Sequence, residues 1–221
     1  MTRPIPPNML ARIEAHERWL GTNRKEGQQF RESKVDLHDL DLSDRDLVMA
    51  LLPEANLDQA ILRDAELSST LFNWASFVGA ILDGAWLVNA TLDHANFTRA
   101  SLREVRGVSL DALETNFQKA DLTAGNFNDA GFIKANLEYA NFSHANLRGA
   151  AFYAARMAYI TLTGASLRGA DLAGTIGLES AVVEWIDIGE EDTPERLEEE
   201  AARRWLLEKA SKQLPKGIKI S

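Results

Sequence analysis

A hydrophobic residue at every fifth position is the feature of this sequence that most restricts how the chain can fold. The series runs from Leu37 to Leu172 and contains 28 positions, of which 26 carry Leu, Phe or Met. Two residues before these positions, the chain has Ala in 19 of the 28 cases. Neither the 3.6-residue period of a helix nor the two-residue period of a strand gives this spacing. The series therefore indicates a repeat architecture.

The repeats share a local motif in which Ala is followed by Asp or Asn and then by Leu or Phe. Examples are Ala55-Asn56-Leu57, Ala95-Asn96-Phe97, Ala120-Asp121-Leu122, Ala135-Asn136-Leu137, Ala145-Asn146-Leu147 and Ala170-Asp171-Leu172. This motif, kept in one phase over about 140 of the 221 residues, resembles the pentapeptide-repeat family. The resemblance implies an all-β solenoid, a right-handed quadrilateral β-helix with four pentapeptides in each coil.

The resemblance also predicts which side chains form the core. The Leu or Phe at the centre of each repeat and the small residue two positions before it would point inward, and the other three residues outward. Twenty-eight repeats would make about seven coils, stacked at about 4.8 Å, and each coil would form its backbone hydrogen bonds with its neighbours. Residues 20 apart would then lie above one another on the same face.

One stretch, residues 103–115, departs from the pattern. Its central positions hold the small residues Gly107 and Ala112, whereas Val105 and Leu110 occupy the positions that are usually small. A continuous coil in which large and small residues exchange places would conserve the inward volume. The alternative is a projecting loop of about ten residues. The unbroken phase of the repeat favours the continuous coil.

The two ends of the chain lie outside the repeat, which predicts three segments. These are an N-terminal extension with a helical cap (1–34), the β-helix (35–175) and a C-terminal segment (176–221). Asn8 is expected to cap a first helix, with Met9 and Ile13 on its apolar stripe. Because the first coil exposes an unpaired edge, this helix is expected to cover it. Binding of a partner by the helix is the alternative.

The C-terminal segment is expected to contain a strand followed by a helix. Residues 181–188 are typical of a strand, and Thr193 followed by Pro194 predicts the start of an α-helix at about 194–212. The amount of apolar surface in this segment suggests a homodimer contact. Its candidate residues are Trp185, Ile186, Ile188, Leu197, Trp205 and Leu206. The resemblance points the same way, since family members that act on topoisomerases dimerise through their C-terminal ends.

Charge and composition limit which partners the chain is expected to bind and in which compartment it is expected to act. The net charge is −9, and residues 35–175 alone contribute −8, which argues against direct binding of nucleic acid. One predicted face is especially acidic and is the candidate surface for a protein partner. Its acidic residues are Asp41, Asp44, Asp64, Asp83, Glu104 and Asp121. Without cysteine, an apolar signal core or a membrane-spanning run, the chain is expected to be soluble and cytoplasmic, with no membrane contact.

The sequence contains no recognisable active site. The histidines of the repeat region, His38, His94 and His144, map to three different faces, and His16 lies outside it. No glycine-rich phosphate loop and no nucleophile beside a base is present, and a convex solenoid offers no pocket. The chain is therefore expected to be non-catalytic and to need neither a cofactor nor a metal.

Two functions remain compatible with these features. The resemblance extends to Qnr-like members, which are held to occupy the DNA-binding site of DNA gyrase or topoisomerase IV and to confer resistance to inhibitors of those enzymes. An acidic rod would imitate DNA in charge and shape, although its coils repeat at about 4.8 Å and phosphates at about 3.4 Å per strand. The alternative is a general scaffold for another protein, with acidic faces that serve solubility only.

Overall fold

The computed structural model describes residues 3–190 and 192–212, and most of them form a solenoid of stacked 20-residue coils. Parallel backbone pairs join every fifth residue to the one 20 positions later, without a break from Arg31–Leu51 to Arg156–Ile176. Two further pairs, Thr161–Val182 and Ser166–Asp187, have an offset of 21 residues. The predicted β-helix is therefore present. Its backbone pairing begins before residue 35 and extends past the predicted boundary at residue 175 to Asp187.

The five-residue period arises from a turn of the chain at each repeat. From Lys34 to Gly174, every residue two positions after the centre of a repeat has a positive φ, for example 59° at Trp74. The central residue and the small residue two positions before it are buried, as at Leu52 and Ala50, which are both 0% exposed. Short straight segments between left-handed corners thus present the same two positions to the interior in every repeat.

Aromatic side chains fill the interior of one half of the solenoid. The Phe77 and Phe97 rings stack at 4.3 Å between centroids, and Phe117 continues the stack at 5.1 Å from Phe97. Phe132 and Phe152 stack in the same way at 5.2 Å. Each coil therefore packs its core side chains on the equivalent side chains of the next coil, so the core runs the length of the solenoid.

The irregular stretch 103–115 is a continuous coil, as the phase of the repeat predicted. The pairs Arg106–Asn126 and Asp111–Gly131 keep the 20-residue offset. Val105 is 0% exposed and Leu110 1%, so the large residues at the usually small positions do point inward. The interior volume is conserved because the adjacent central positions are small.

Replacing Gly107 by Ala should destabilise the protein, because this exchange of sizes leaves no room at the central position. A Cβ at residue 107 would lie 2.5 Å from Leu110 Cδ2 and 2.8 Å from Phe127 Cδ1. We expect the free energy of unfolding, measured by urea denaturation, to fall by about 1–3 kcal/mol. Gly131→Ala is the control, since its Cβ would lie 3.3 Å from the Asp111 carboxylate and 3.8 Å from the Leu110 carbonyl oxygen. Equal effects of the two substitutions would contradict this packing.

The N-terminal helix, α1, spans Pro7–Gly21 and packs against the first coil. The predicted cap at Asn8 is wrong. Pro6 is the N-cap, no side chain caps the helix, and Asn8 lies within its first turn. The chain starts the helix here because Pro7 has no N–H to satisfy and its φ is already helical. Before the helix, the Arg3 N–H donates to the Asp39 carbonyl at 2.9 Å, so the N-terminal arm pairs with the solenoid.

His16 connects α1 to the first coil and is completely buried. Its Nδ1 accepts a hydrogen bond from the Phe30 N–H at 3.0 Å, and its Nε2 lies 3.1 Å from the Val48 carbonyl oxygen. Since an N–H faces one nitrogen and a carbonyl the other, the ring must be neutral with its proton on Nε2. Burial lowers the pKa of His16, against the opposing effects of the Val48 carbonyl and of Asp46 and Glu17.

The protein should therefore lose stability in mild acid. The unfolded state takes up a proton as the pH falls below the ordinary histidine pKa of 6.5, whereas folded His16 resists protonation because its pKa is lower. Its stabilising contribution is full above pH 6.5 and is lost as the pH falls from there toward the folded-state pKa. We expect a slope of at most about 1.4 kcal/mol per pH unit in the free energy of unfolding.

The measurement is urea denaturation between pH 7.5 and 5.5, with His16→Gln as the matched variant. Glutamine has one acceptor and one donor group but does not titrate, so the slope should diminish in the variant. An identical pH dependence in both proteins would exclude His16 as its source.

At the C-terminal end, a two-stranded antiparallel sheet follows the last coil. Strand β1 spans Trp185–Asp187 and pairs with β2, Arg196–Glu198. Helix α2 spans Glu199–Ala210, inside the predicted range of about 194–212, but its predicted start at Thr193 and Pro194 is wrong. The Asp187 carboxylate accepts the N–H groups of Glu195 and Gly189, both at 3.0 Å. These bonds and the pairing with β1 hold the chain extended where its local sequence favours a helix.

Helix α2 lies over the last coil and closes the core. Its Ala202 and Leu206 are 0% exposed, and the carbonyl of Ala210 accepts the N–H of Gly174 at 3.0 Å. A short 3-10 helix, Leu178–Ser180, accompanies the change of offset from 20 to 21 residues. In the described ranges, no helix is long and apolar enough to cross a membrane.

Candidate interaction surface

The six acidic residues predicted to share a face do lie on consecutive coils of one face, but two of them are paired with arginines and four are not. Asp83 and Asp121 are neutralised by arginines of the same face. Arg63 Nη1 lies 2.8 Å from Asp83 Oδ2, and Arg103 Nη1 lies 3.6 Å from Asp121 Oδ2. The other carboxylate oxygen of Asp83 accepts the hydroxyl of Ser101 and the Arg103 N–H. These two aspartates mainly join neighbouring coils.

Asp41 is exposed and ionised at the start of the same face. Its Oδ1 accepts the Ser43 hydroxyl at 2.7 Å and the Ser43 N–H at 3.1 Å. These two hydrogen bonds, that of the hydroxyl first, lower the pKa of Asp41 below its ordinary value. The carboxylate therefore keeps its negative charge at neutral pH.

The remaining three residues, Asp44, Asp64 and Glu104, occupy one corner of the solenoid and are exposed. We call them the acidic corner. Each has a positive φ, between 54° and 59°, which turns its side chain outward at the end of a repeat. Within the described residues, none of the three forms an ion pair. The corner position between them is Gly84, whose missing side chain leaves space for the Asp64 carboxylate, 2.3 Å from where a Cβ would stand. The three carboxylates of the acidic corner are thus unpaired, although Arg63 and Arg103 lie beside Asp64 and Glu104.

The histidines of the solenoid are separate, as their positions predicted. His38 contacts Asp36 at 2.5 Å, His94 stacks on Trp74 at 4.8 Å, and His144 meets Trp185 edge-on. Across residues 3–190 and 192–212, no group of three or more His, Asp or Glu side chains has the geometry to hold a metal ion.

The candidate dimer residues are only partly available at the surface. Ile186 and Leu206 are 0% exposed, so their assignment to an interface is corrected: they belong to the core that α2 closes. Trp185 is partly buried, with the Arg196 guanidinium 4.3 Å from its ring centre. Ile188, Leu197 and Trp205 are also partly buried and pack against the core cluster. The predicted apolar surface is therefore largely covered by the chain itself.

A second corner carries side chains that the sequence reasoning missed. Arg99, Lys119, Tyr139 and Tyr159 follow one another at 20-residue intervals, and the two tyrosines are 49% and 52% exposed. The signal was present in the sequence, since reading every twentieth residue at the corner position would have revealed this column. It is obscured in the charge pattern because the faces on either side are polar and nearly neutral.

The comparisons with known proteins agree with this architecture. The model of the family described as "Pentapeptide repeats" matches residues 70–106, 115–152 and 145–176, with eight copies. No curated protein sequence matches the chain.

Several solved structures are similar to the chain. One trypsin-treated variant of QnrB1, a plasmid-mediated fluoroquinolone resistance protein, is 16% identical, with 66% of this chain and 80% of that one covered and a TM-score of 0.56. A second trypsin-treated variant is 12% identical, with coverage of 84% and 90% and a TM-score of 0.55. HetL, a protein of heterocyst differentiation regulation from the cyanobacterium Nostoc, is 24% identical over 72% of this chain and 81% of that one, with a TM-score of 0.38. At these identities the QnrB1 structures establish a shared fold.

Proposed function

The chain belongs to the pentapeptide-repeat family, and from this premise we propose that it is a non-catalytic protein-interaction module that binds a bacterial type II topoisomerase, DNA gyrase or topoisomerase IV, as a mimic of DNA. In this role it would act in the cytoplasm and confer resistance to an inhibitor of the enzyme. The observation that carries the proposal is the acidic corner, with Asp41 at its start.

Open carboxylates on a rod suit a cationic, DNA-binding groove. Asp44, Asp64 and Glu104 lie on one straight edge, with a rise of about 4.8 Å per coil, and no basic side chain of the described chain pairs with them. A row of like charges on a long, stiff body attracts a basic groove of matching shape and steers the encounter. The spacing differs from that of phosphates, about 3.4 Å per strand, so the imitation concerns charge and shape rather than individual contacts.

The similarity in fold to QnrB1 is the reason for proposing a topoisomerase as the partner. That protein is described as a fluoroquinolone resistance protein, and it shares the solenoid fold with this chain. The alternative proposal is a scaffold for a different protein, with the carboxylates serving solubility. The neutralised Asp83 and Asp121 favour this alternative in part, because they show that several acidic residues of the face have a structural task.

Neutralising the acidic corner should weaken any effect on the topoisomerase. The variant Asp44→Asn/Asp64→Asn/Glu104→Gln removes three exposed charges without touching the core, so its circular dichroism should equal that of the wild type. In a supercoiling assay with purified gyrase, with and without a fluoroquinolone, we expect at least a tenfold higher concentration of the variant to be needed for protection or inhibition.

The control is Asp111→Asn/Asp129→Asn/Glu179→Gln, which removes three exposed carboxylates elsewhere and changes the net charge of −9 by the same amount. This control should behave as the wild type. If both variants lost the same amount of protection or inhibition, overall charge and not the acidic corner would explain the effect. No effect of wild-type protein on gyrase or topoisomerase IV at micromolar concentration would refute the mimic and leave the scaffold.

We also propose that the protein forms a homodimer through its C-terminal segment, around the partly exposed Trp185, Ile188, Leu197 and Trp205. A glutamate in place of Trp205 would put a charge into that contact. We expect wild-type protein to sediment as a dimer of the 24.5 kDa chain and Trp205→Glu to sediment as a monomer. Trp74→Glu, at an exposed position remote from this segment, is the control. A wild-type mass of one chain at micromolar concentration would rule out the dimer.

A further inference from the structure

The corner column Arg99, Lys119, Tyr139 and Tyr159 carries side chains that the fold itself does not require. All four residues stand two positions after the centre of their repeats and have φ values between 58° and 62°. This left-handed conformation is unfavourable for large side chains and is normally occupied by Gly, Asn or Asp. Earlier coils have Asp39, Gln59 and Gly79 at the same corner. The tyrosines are about half exposed, so the core does not explain their presence.

The tyrosine rings stack in a way that leaves their edges and hydroxyl groups open. Tyr139 and Tyr159 are nearly parallel, with 4.8 Å between centroids and 13° between planes. On its other face, Tyr139 is covered by Lys119, whose Nζ lies 5.8 Å from the ring centre. An aromatic ring is positive at its edge, and a phenol O–H is a hydrogen-bond donor. Among the described residues, neither phenol oxygen takes part in a hydrogen bond.

The cations of the column are also open, whereas the neighbouring carboxylate of Glu138 is not. In the described part of the chain, neither Arg99 nor Lys119 forms an ion pair. Glu138, beside Tyr139, is held by the guanidinium of Arg156 at 3.1 Å and 2.5 Å and is only 19% exposed. The column therefore presents a guanidinium, an ammonium, two phenol O–H groups and two ring edges. All of these attract an anion.

We propose that this column is the docking strip for a short, extended, acidic segment of a partner protein. Three steps of about 4.8 Å give the strip a length of about 14 Å, which four or five residues of an extended chain cover at about 3.4 Å each. Carboxylates of the segment pair with Arg99 and Lys119 and accept the tyrosine hydroxyls. An apolar side chain of the segment packs on Ile176, which is 57% exposed and lies on the coil after Tyr159, where its backbone pairs with Arg156.

The column suits an acidic peptide better than a nucleic acid. Single-stranded bases stack on open aromatic faces, but both faces of Tyr139 are already covered. The net charge of −9 also opposes a long polyanion. A short peptide interacts mainly with charges within about 8 Å at physiological salt. The column itself contributes the cations Arg99 and Lys119, and the exposed carboxylate of Glu179, on the coil after Tyr159, limits the strip at that end. The inference does not depend on topoisomerase binding, which uses a different corner with charges of the opposite sign.

A peptide selection tests the proposal. Random 12-residue peptides displayed on phage are selected against the immobilised full-length protein, and the most enriched peptide is synthesised with a fluorescent label. We expect enriched sequences to contain at least two Asp or Glu residues close to an aliphatic or aromatic one. In fluorescence anisotropy, Arg99→Ser/Lys119→Ser should weaken binding at least tenfold, and Tyr139→Ser/Tyr159→Ser should do the same.

The controls separate the column from general effects of charge and folding. Lys34→Ser makes the same kind of change at another positive-φ corner, where the lysine is paired with Glu54, and should bind as the wild type. Serine already occupies such corners at Ser69 and Ser109, so the variants should keep the wild-type circular dichroism. The proposal fails if selection enriches no acidic peptide, if the column variants bind as the wild type does, or if an oligothymidylate displaces the peptide and binds more tightly.

Discussion

Backbone hydrogen bonds between neighbouring coils hold this molecule together, and its other features depend on them. The Asn56 N–H donates to the Val35 carbonyl of the preceding coil at 2.9 Å, and the Leu57 N–H donates to the Ser76 carbonyl of the following coil at 2.7 Å. The same pair of bonds recurs along the repeats, and outward Asp and Asn side chains accept further backbone N–H groups, as Asn96 does from Thr98 at 3.1 Å and Asn116 from Gln118 at 3.0 Å. Only the central residue and the small residue before it must fit the interior, which leaves three of every five positions available for the surface.

A ladder of this kind is incomplete at its two ends, and each end is closed differently. At the first coil, α1 is held by the neutral ring of His16 between the Phe30 N–H and the Val48 carbonyl. At the last coil, β2 pairs with β1, and α2 covers the core with Ala202 and Leu206. The N-terminal closure thus includes a buried titratable side chain beside the buried Met9 and Ile13, whereas the C-terminal closure consists of apolar burial and backbone pairing.

The repeat made the solenoid predictable, while the ends and the side-chain pairing were less so. The five-residue period predicted the inward residues because every repeat solves the same packing problem, and the exchange of sizes at 103–115 could be read from volume alone. The helix start at Thr193 and Pro194 was wrong because pairing with β1 is a contact across the fold, which local capping signals do not contain. For the same reason, Ile186 and Leu206 seemed to be spare apolar surface and are in fact core.

The candidate surfaces were likewise predictable from the sequence only in part. The rule that residues 20 apart share a face predicted all six acidic residues on one face. It did not predict that arginines neutralise Asp83 and Asp121, because that pairing depends on the side-chain rotamers of neighbouring coils. It also passed over Tyr139 and Tyr159, because a search by charge ignores aromatic residues at corners. Two edges of opposite sign remain as candidate binding surfaces, the acidic corner and the column from Arg99 to Tyr159.

The direction of the ladder also decides how the molecule responds to force. All of its inter-coil hydrogen bonds run along the solenoid axis, so a pull on the two ends loads the bonds of one terminal coil at a time. Each coil that peels away would release 20 residues, or about 70 Å of extended chain. Under tension the solenoid would therefore lengthen in equal steps, and the coils that remain folded would keep their surfaces intact.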